Sequence, residues 1–122
     1  MDPLFAPSPI SPESALLSRS AEAGLHMALI EAGVRSGDHV LTPALASAAL
    51  AGALVRAGAD PILVDVDPSN WLIDLHLMEE FLMGHTIVNE RDELILRKTG
   101  KAIRAVIPVH LNGNPADMNQ LR

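Results

Sequence analysis

The feature that most constrains this 122-residue chain is a series of short apolar runs, each stopped by a turn signal and separated by helix-forming stretches. His39-Val40-Leu41-Thr42 stops at Pro43, Pro61 to Val66 stops at Asp67-Pro68, and Ile103 to Leu111 stops at Asn112-Gly113. Unbroken apolar runs rich in β-branched residues, rather than alternating ones, are what strands covered on both faces require. Between them, Ala44 to Arg56 is almost entirely Ala and Leu and ends at Gly58, and Asp74 is placed to cap a helix over Leu75 to Met83. Strands that alternate with helices connect by right-handed crossovers and give a parallel sheet. The expected fold class is therefore α/β, a partial parallel sheet with helices on both faces.

The flanking segments fill in the organisation. Residues 1–12 hold four of the nine prolines (Pro3, Pro7, Pro9 and Pro12), which predicts an irregular arm. Apolar residues recur at three- and four-residue steps from Glu13 to Ala32, with Ser11 and Gly33 as caps, and the interruption by Ser18 and Ser20 allows the helix to begin at Ser20 instead. Two β-prone runs, Thr86-Ile87-Val88 and Leu94-Ile95-Leu96, surround a charged loop and predict a hairpin within 85–101. Ala116 to Arg122 reads as the first turns of a helix. The expected domains are an arm at 1–12 and a partial large domain at 13–122. A thin three-stranded sheet and an interrupted helix both suggest one part of a larger α/β unit.

Composition excludes several classes. Nine basic against 15 acidic residues leave a net charge of −6, the wrong sign for neutralising phosphates, so no nucleic-acid partner is expected. Phe5, Trp71 and Phe81 are the only aromatic residues, too few for a base-stacking surface. The absence of cysteine removes disulfides, thiolate metal sites and a Cys nucleophile. No positively charged leader precedes an apolar stretch, and the run from Val40 to Val55 is short for a membrane span and contains Pro43. No membrane partner and a cytoplasmic location are the resulting expectations.

In an open parallel sheet, ligands gather beyond the carboxyl ends of the strands. Those ends carry Asp65, Asp67 and His110, which leaves two alternatives. One is a divalent-cation site of a small metal-dependent hydrolase. The other is purely structural, with the acids opening the turn before Pro68 and His110 hydrogen-bonded at a strand end. The serines form no nucleophile elbow and the glycines no phosphate loop. Lys98 and Lys101 read as solvated charges of the hairpin.

Taken together, residues 20–84 and 102–122 resemble the DegT/StrS family of sugar aminotransferases, which depend on pyridoxal phosphate (PLP) and share the fold-type-I architecture. The resemblance rests on Ser20 opening a helix, on Gly37-Asp38 and Pro43, on Gly58-Ala59 with Pro61, Asp65 and Asp67, and most specifically on His110, Gly113, Pro115, Asp117 and Met118. It implies that the sheet is part of a PLP-dependent transferase large domain and that the hairpin at 85–101 is an insertion. It further implies a transaminase in sugar or polysaccharide biosynthesis, with an amino donor, a keto-sugar nucleotide as acceptor, and a homodimer. The positions matching the family's phosphate grip are Ala21 and Glu22, and the position matching its ring-stacking aromatic is Ser47. A carboxylate at a helix N-terminus opposes a phosphate there, and serine cannot stack on a ring. The family's Schiff-base lysine has no counterpart in the chain. Two functional readings follow: an amino-terminal portion of an aminotransferase that is inactive alone, or a diverged member that has lost PLP and serves as a binding or scaffold protein.

Overall fold

The computed structural model describes residues 15–121, so the proline-rich arm at 1–12, the Ser11 cap and Arg122 lie outside the described residues. Eight elements follow in order: α1 (Ala21–Glu31), β1 (His39–Pro43), α2 (Ala48–Ala57), β2 (Asp60–Val64), α3 (Leu75–His85), β3 (Thr86–Val88), β4 (Leu94–Leu96) and β5 (Lys101–Val106).

Local chemistry sets the boundaries. α1 begins at Ala21, later than a start at Glu13, because Ser20 is extended and its hydroxyl accepts the Ala23 N–H as an N-cap. Ser18 donates to the Ser20 carbonyl and holds the lead-in out of the helix. α2 begins at Ala48, four residues later than expected, because Ser47 caps it and its Oγ accepts the Leu50 N–H. Gly58 ends α2 with φ 66°, and a Cβ there would also lie 2.8 Å from Ser36 Oγ, so both backbone and space require glycine. Asp74 caps α3 as predicted, accepting from the His76 and Leu77 N–H groups.

The sheet is mixed and five-stranded, in the order β2-β1-β5-β4-β3. β2, β1 and β5 run parallel, while β4 is antiparallel to both of its neighbours, β5 and β3. The expected hairpin thus forms, and it extends the sheet instead of standing apart. The expectation of a strand from Ile103 to Leu111 is corrected at both ends. Lys101 pairs with Leu96, which starts β5 earlier, and Pro108 lacks the N–H needed to carry the ladder on beyond Val106. β2 is not covered on both faces. It is an edge strand with Leu63 63% exposed, a position where Pro61 is tolerated because no second neighbour needs its N–H. The residues expected to start a last helix form a turn, with Asp117 Oδ1 accepting from Asn119 and Gln120 N–H.

Helices cover both faces, as the apolar runs require. Val40 and Leu41 are fully buried and point to opposite sides of β1. Val40 joins the core made with Leu29 of α1 and Leu50, Ala53 and Leu54 of α2. Leu41 joins Val64, Ile103, Leu96 and Met78 of α3 on the other face. Among the described residues no helix is long and apolar enough to cross a membrane.

Candidate functional site

The carboxyl ends of β1, β2 and β5 lie along one edge. α2 starts from that edge, and α1, which leads into the amino end of β1, also begins on that side. The loop after β2 is fixed by its own backbone. Asp67 N–H donates to the Leu72 carbonyl at 2.9 Å, Trp71 N–H to the Asp67 carbonyl at 2.7 Å, and Asp74 N–H to the Asp65 carbonyl at 3.0 Å. The Asp67 carboxylate accepts from both the hydroxyl (2.6 Å) and the N–H (2.8 Å) of Ser69. Those two bonds, the hydroxyl first, hold its pKa below the ordinary carboxylate value. The loop after β5 turns on Asn112 and Gly113, closed by Asn114 N–H donating to the Leu111 carbonyl at 2.8 Å.

Two clefts separate these loops. One, of about 420 Å³, is lined by Asp67, Asp74, His76, Asn114 and Asp117 among others. The second, of about 550 Å³, lies between Trp71 with Asn70 on one side and Asn112 with Asn114 on the other, and Leu45 completes its wall. Trp71 and Asn112 both have left-handed backbones, φ 65° and 51°. For a residue as bulky as Trp this conformation is a genuine outlier, held at a strain of about 1–3 kcal/mol. A third cleft, of about 300 Å³ and largely apolar, lies beside α2 and includes Ser47 and Thr42, whose buried Oγ1 has no hydrogen-bond partner among the described residues.

The metal-ion alternative is corrected by this geometry. Among the described residues no group of three His, Asp or Glu side chains is placed to hold a metal ion. Asp65 Oδ1 accepts the Val66 N–H, Asp67 is engaged by Ser69, and His110 Nδ1 accepts the Ala116 N–H at 2.9 Å. Each of the three side chains ties down its own loop.

The positions singled out by resemblance occupy two helix starts and share no cleft. Ala21 and Glu22 form the first turn of α1. The Glu22 side chain leans onto α2, where a Cβ on Gly52 would lie 2.7 Å from its carboxylate, and Arg56 donates to its Oε1 at 3.3 Å. The carboxylate thus does not cap its own helix, although its charge stays beside the first turn. Ser47 is spent on capping α2. Lys98 and Lys101, the two lysines of the chain, sit at the opposite, amino end of β5, with Lys98 in the preceding turn. Lys101 Nζ lies 3.6 Å from Asp60 Oδ2, so it belongs to the parallel part of the sheet and not to the hairpin alone. Sequence reasoning missed the Trp71 cleft. Its traces were two asparagine-bearing turns, a residue type that tolerates positive φ.

Comparison with known proteins follows the same lines. Residues 11–122 match the model of the DegT/DnrJ/EryC1/StrS aminotransferase family. A pleiotropic regulatory protein of Geobacillus stearothermophilus is 39% identical over 97 residues, covering 80% of this chain and 22% of that protein. The crystal structure of a DegT DnrJ EryC1 StrS aminotransferase from Brucella abortus superposes with a TM-score of 0.66 at 28% identity, over 83% of this chain and 24% of that one. The sugar aminotransferase CalS13 from Micromonospora echinospora superposes with a TM-score of 0.61 at 32% identity, over 84% and 23%. The chain therefore spans about a quarter or less of the length of these relatives. The match across nearly the whole sequence, with the α/β architecture those structures share, places this chain in the DegT/DnrJ/EryC1/StrS aminotransferase family.

Proposed function

We propose that the chain forms the amino-terminal α/β portion of a PLP-dependent aminotransferase that delivers an amino group from a donor to a keto-sugar nucleotide, and that it is inactive by itself. The observation that carries the proposal is the family match joined to the placement of the lysines. Both stand at the amino end of β5, whereas ligands of such sheets gather at the carboxyl end. The aminotransferase structures it resembles include forms with PLP and with its amino form, PMP, which supports PLP as the cofactor of the assembled protein. The residues of this stretch do not make that cofactor's site alone. A carboxylate stands in the first turn of α1, the Ser47 hydroxyl is engaged in capping α2, and no lysine among the described residues reaches the carboxyl edge. Incomplete cover supports the same view. Val55, Leu63 and Met83 are large apolar residues left exposed, on α2, β2 and α3 respectively, awaiting further polypeptide. A cytoplasmic homodimer is the assembly this reading entails.

Incubation with PLP, borohydride reduction and peptide mass spectrometry test it. The chain is expected to give no new absorbance band and no stoichiometric lysine adduct. A single-site adduct on Lys98 or Lys101 overturns the proposal. Glu22 and Ser47 also favour a second reading, a diverged member that binds or scaffolds without PLP. The two separate on the protein extended by its downstream coding sequence, which holds PLP under the first reading and none under the second.

A further inference from the structure

The cleft between the post-β2 and post-β5 loops has the chemistry of a site for a pyranose ring, and we propose that Trp71 is its stacking platform. Trp71 is 60% exposed, although its sequence neighbours Leu72 and Ile73 are buried and would accept an apolar companion. Its outward, left-handed pose is imposed by the loop. Asp67 takes the Trp71 N–H, Asn70 Oδ1 takes the Leu72 N–H at 2.8 Å, and Val66 pairs with Ile73. Strain of this kind persists only where surrounding bonds over-determine it, and it collects at ligand-binding positions. Across the cleft, Asn112 holds a second left-handed backbone, and Asn112 and Asn114, both exposed, bring amide side chains to its wall. An indole face offers a broad apolar surface, and amides offer both donors and acceptors. A pyranose matches that pairing, with an apolar face of C–H groups and a rim of hydroxyls. The residues lining the cleft include no Lys, Arg or His to hold a diphosphate, which favours the sugar over the nucleotide end of a sugar nucleotide.

The proposal rests on the sugar-directed reading above and gives the sugar a place, but its test does not involve PLP. Trp71 is the sole tryptophan and the chain has no tyrosine, so selectively excited fluorescence reports on this cleft alone. Titration with UDP-glucose is expected to shift the emission saturably, whereas UDP over the same range leaves it unchanged. Asn112→Ala and Asn114→Ala keep the reporter and should each weaken UDP-glucose about fivefold, the effect of one lost hydrogen bond. Trp71→Ala, followed by calorimetry with circular dichroism as the folding control, should abolish binding. No response to UDP-glucose, an equal response to UDP, or unchanged affinity in both asparagine variants overturns the site. An extended protein that holds PLP while Trp71 stays silent toward UDP-glucose refutes the pyranose site alone. A responsive Trp71 without cofactor binding by the extended protein refutes the aminotransferase activity alone.

Discussion

The two ends of the sheet are built on opposite principles. At the amino end, charges are satisfied within the chain. Arg104 reaches Glu93 of the hairpin loop at 2.9 Å and Asp38 before β1 at 3.4 Å, and His39 Nε2 meets Thr99 Oγ1 at 2.8 Å. The register shift between β1 and β5 falls at the same place, since His39 pairs with Ile103 but Val40 with Ala105. Arg104 is the extra residue, and its guanidinium ties the parallel strands to the hairpin. At the carboxyl end, hydrogen bonds fix the loop backbones but leave an indole and two amides turned outward. Groups consumed internally hold a fold together. Groups presented on rigid loops are available to something outside it.

The largest effect tests what the two ends share. Leu41→Ala, at a fully buried position, should destabilise the chain by about 2–5 kcal/mol in urea unfolding. Amide exchange should show both ends losing protection together, and a loss confined to one end would split the sheet into independent halves. Next, Arg104→Ala should cost about 1–2 kcal/mol, since its bonds are charge-assisted but its side chain is partly exposed. An unchanged urea midpoint would erase the contrast drawn above.

A pH scan sharpens the same point. Asn89 foremost, then Arg104, hold Glu93 below its ordinary pKa of 4.5. A lowered folded pKa means that this contribution is complete above pH 4.5 and fades as the pH falls through the folded value. Asn89→Ala should therefore flatten the acid limb of the stability profile, and an identical limb would show that Glu93 is not coupled to folding. The smallest effect belongs to the carboxyl end. Trp71→Gly and Asn112→Gly relieve positive φ while adding chain entropy, and should stay within about 0.5 kcal/mol of the parent. A loss as large as that of Arg104→Ala would make these loops structural.

Much of the local structure was legible because it follows from neighbouring residues. Asp74 as a cap, Gly33 and Gly58 as stops, and the hairpin around Asn89 to Glu93 all depend on chemistry a few positions away. The cap at Ser20 was visible only as an alternative, because apolar spacing continues upstream of it. Of the candidate positions, Glu22 falls in the first turn of α1 and Ser47 at the start of α2, as their neighbours imply. That Glu22 would turn onto Gly52 and Arg56 was not readable, because its partners lie 30 and 34 positions away. Asp65, Asp67 and His110 looked like a donor set on strand-end logic, which places residues along an edge but does not show which backbone groups claim them.

By itself, the sequence determined the order of the main strands and helices, that both faces of the central strands need cover, and which family the pattern belongs to. Those properties come from side-chain periodicity and capping, which act over one or two turns of chain. Tertiary structure alone decided that β2 lies at an edge, that the hairpin joins the sheet through β5, and that Trp71 stands outward across from Asn112. Each of those outcomes is a pairing between segments distant in sequence, and only the packed backbone chooses among such pairings.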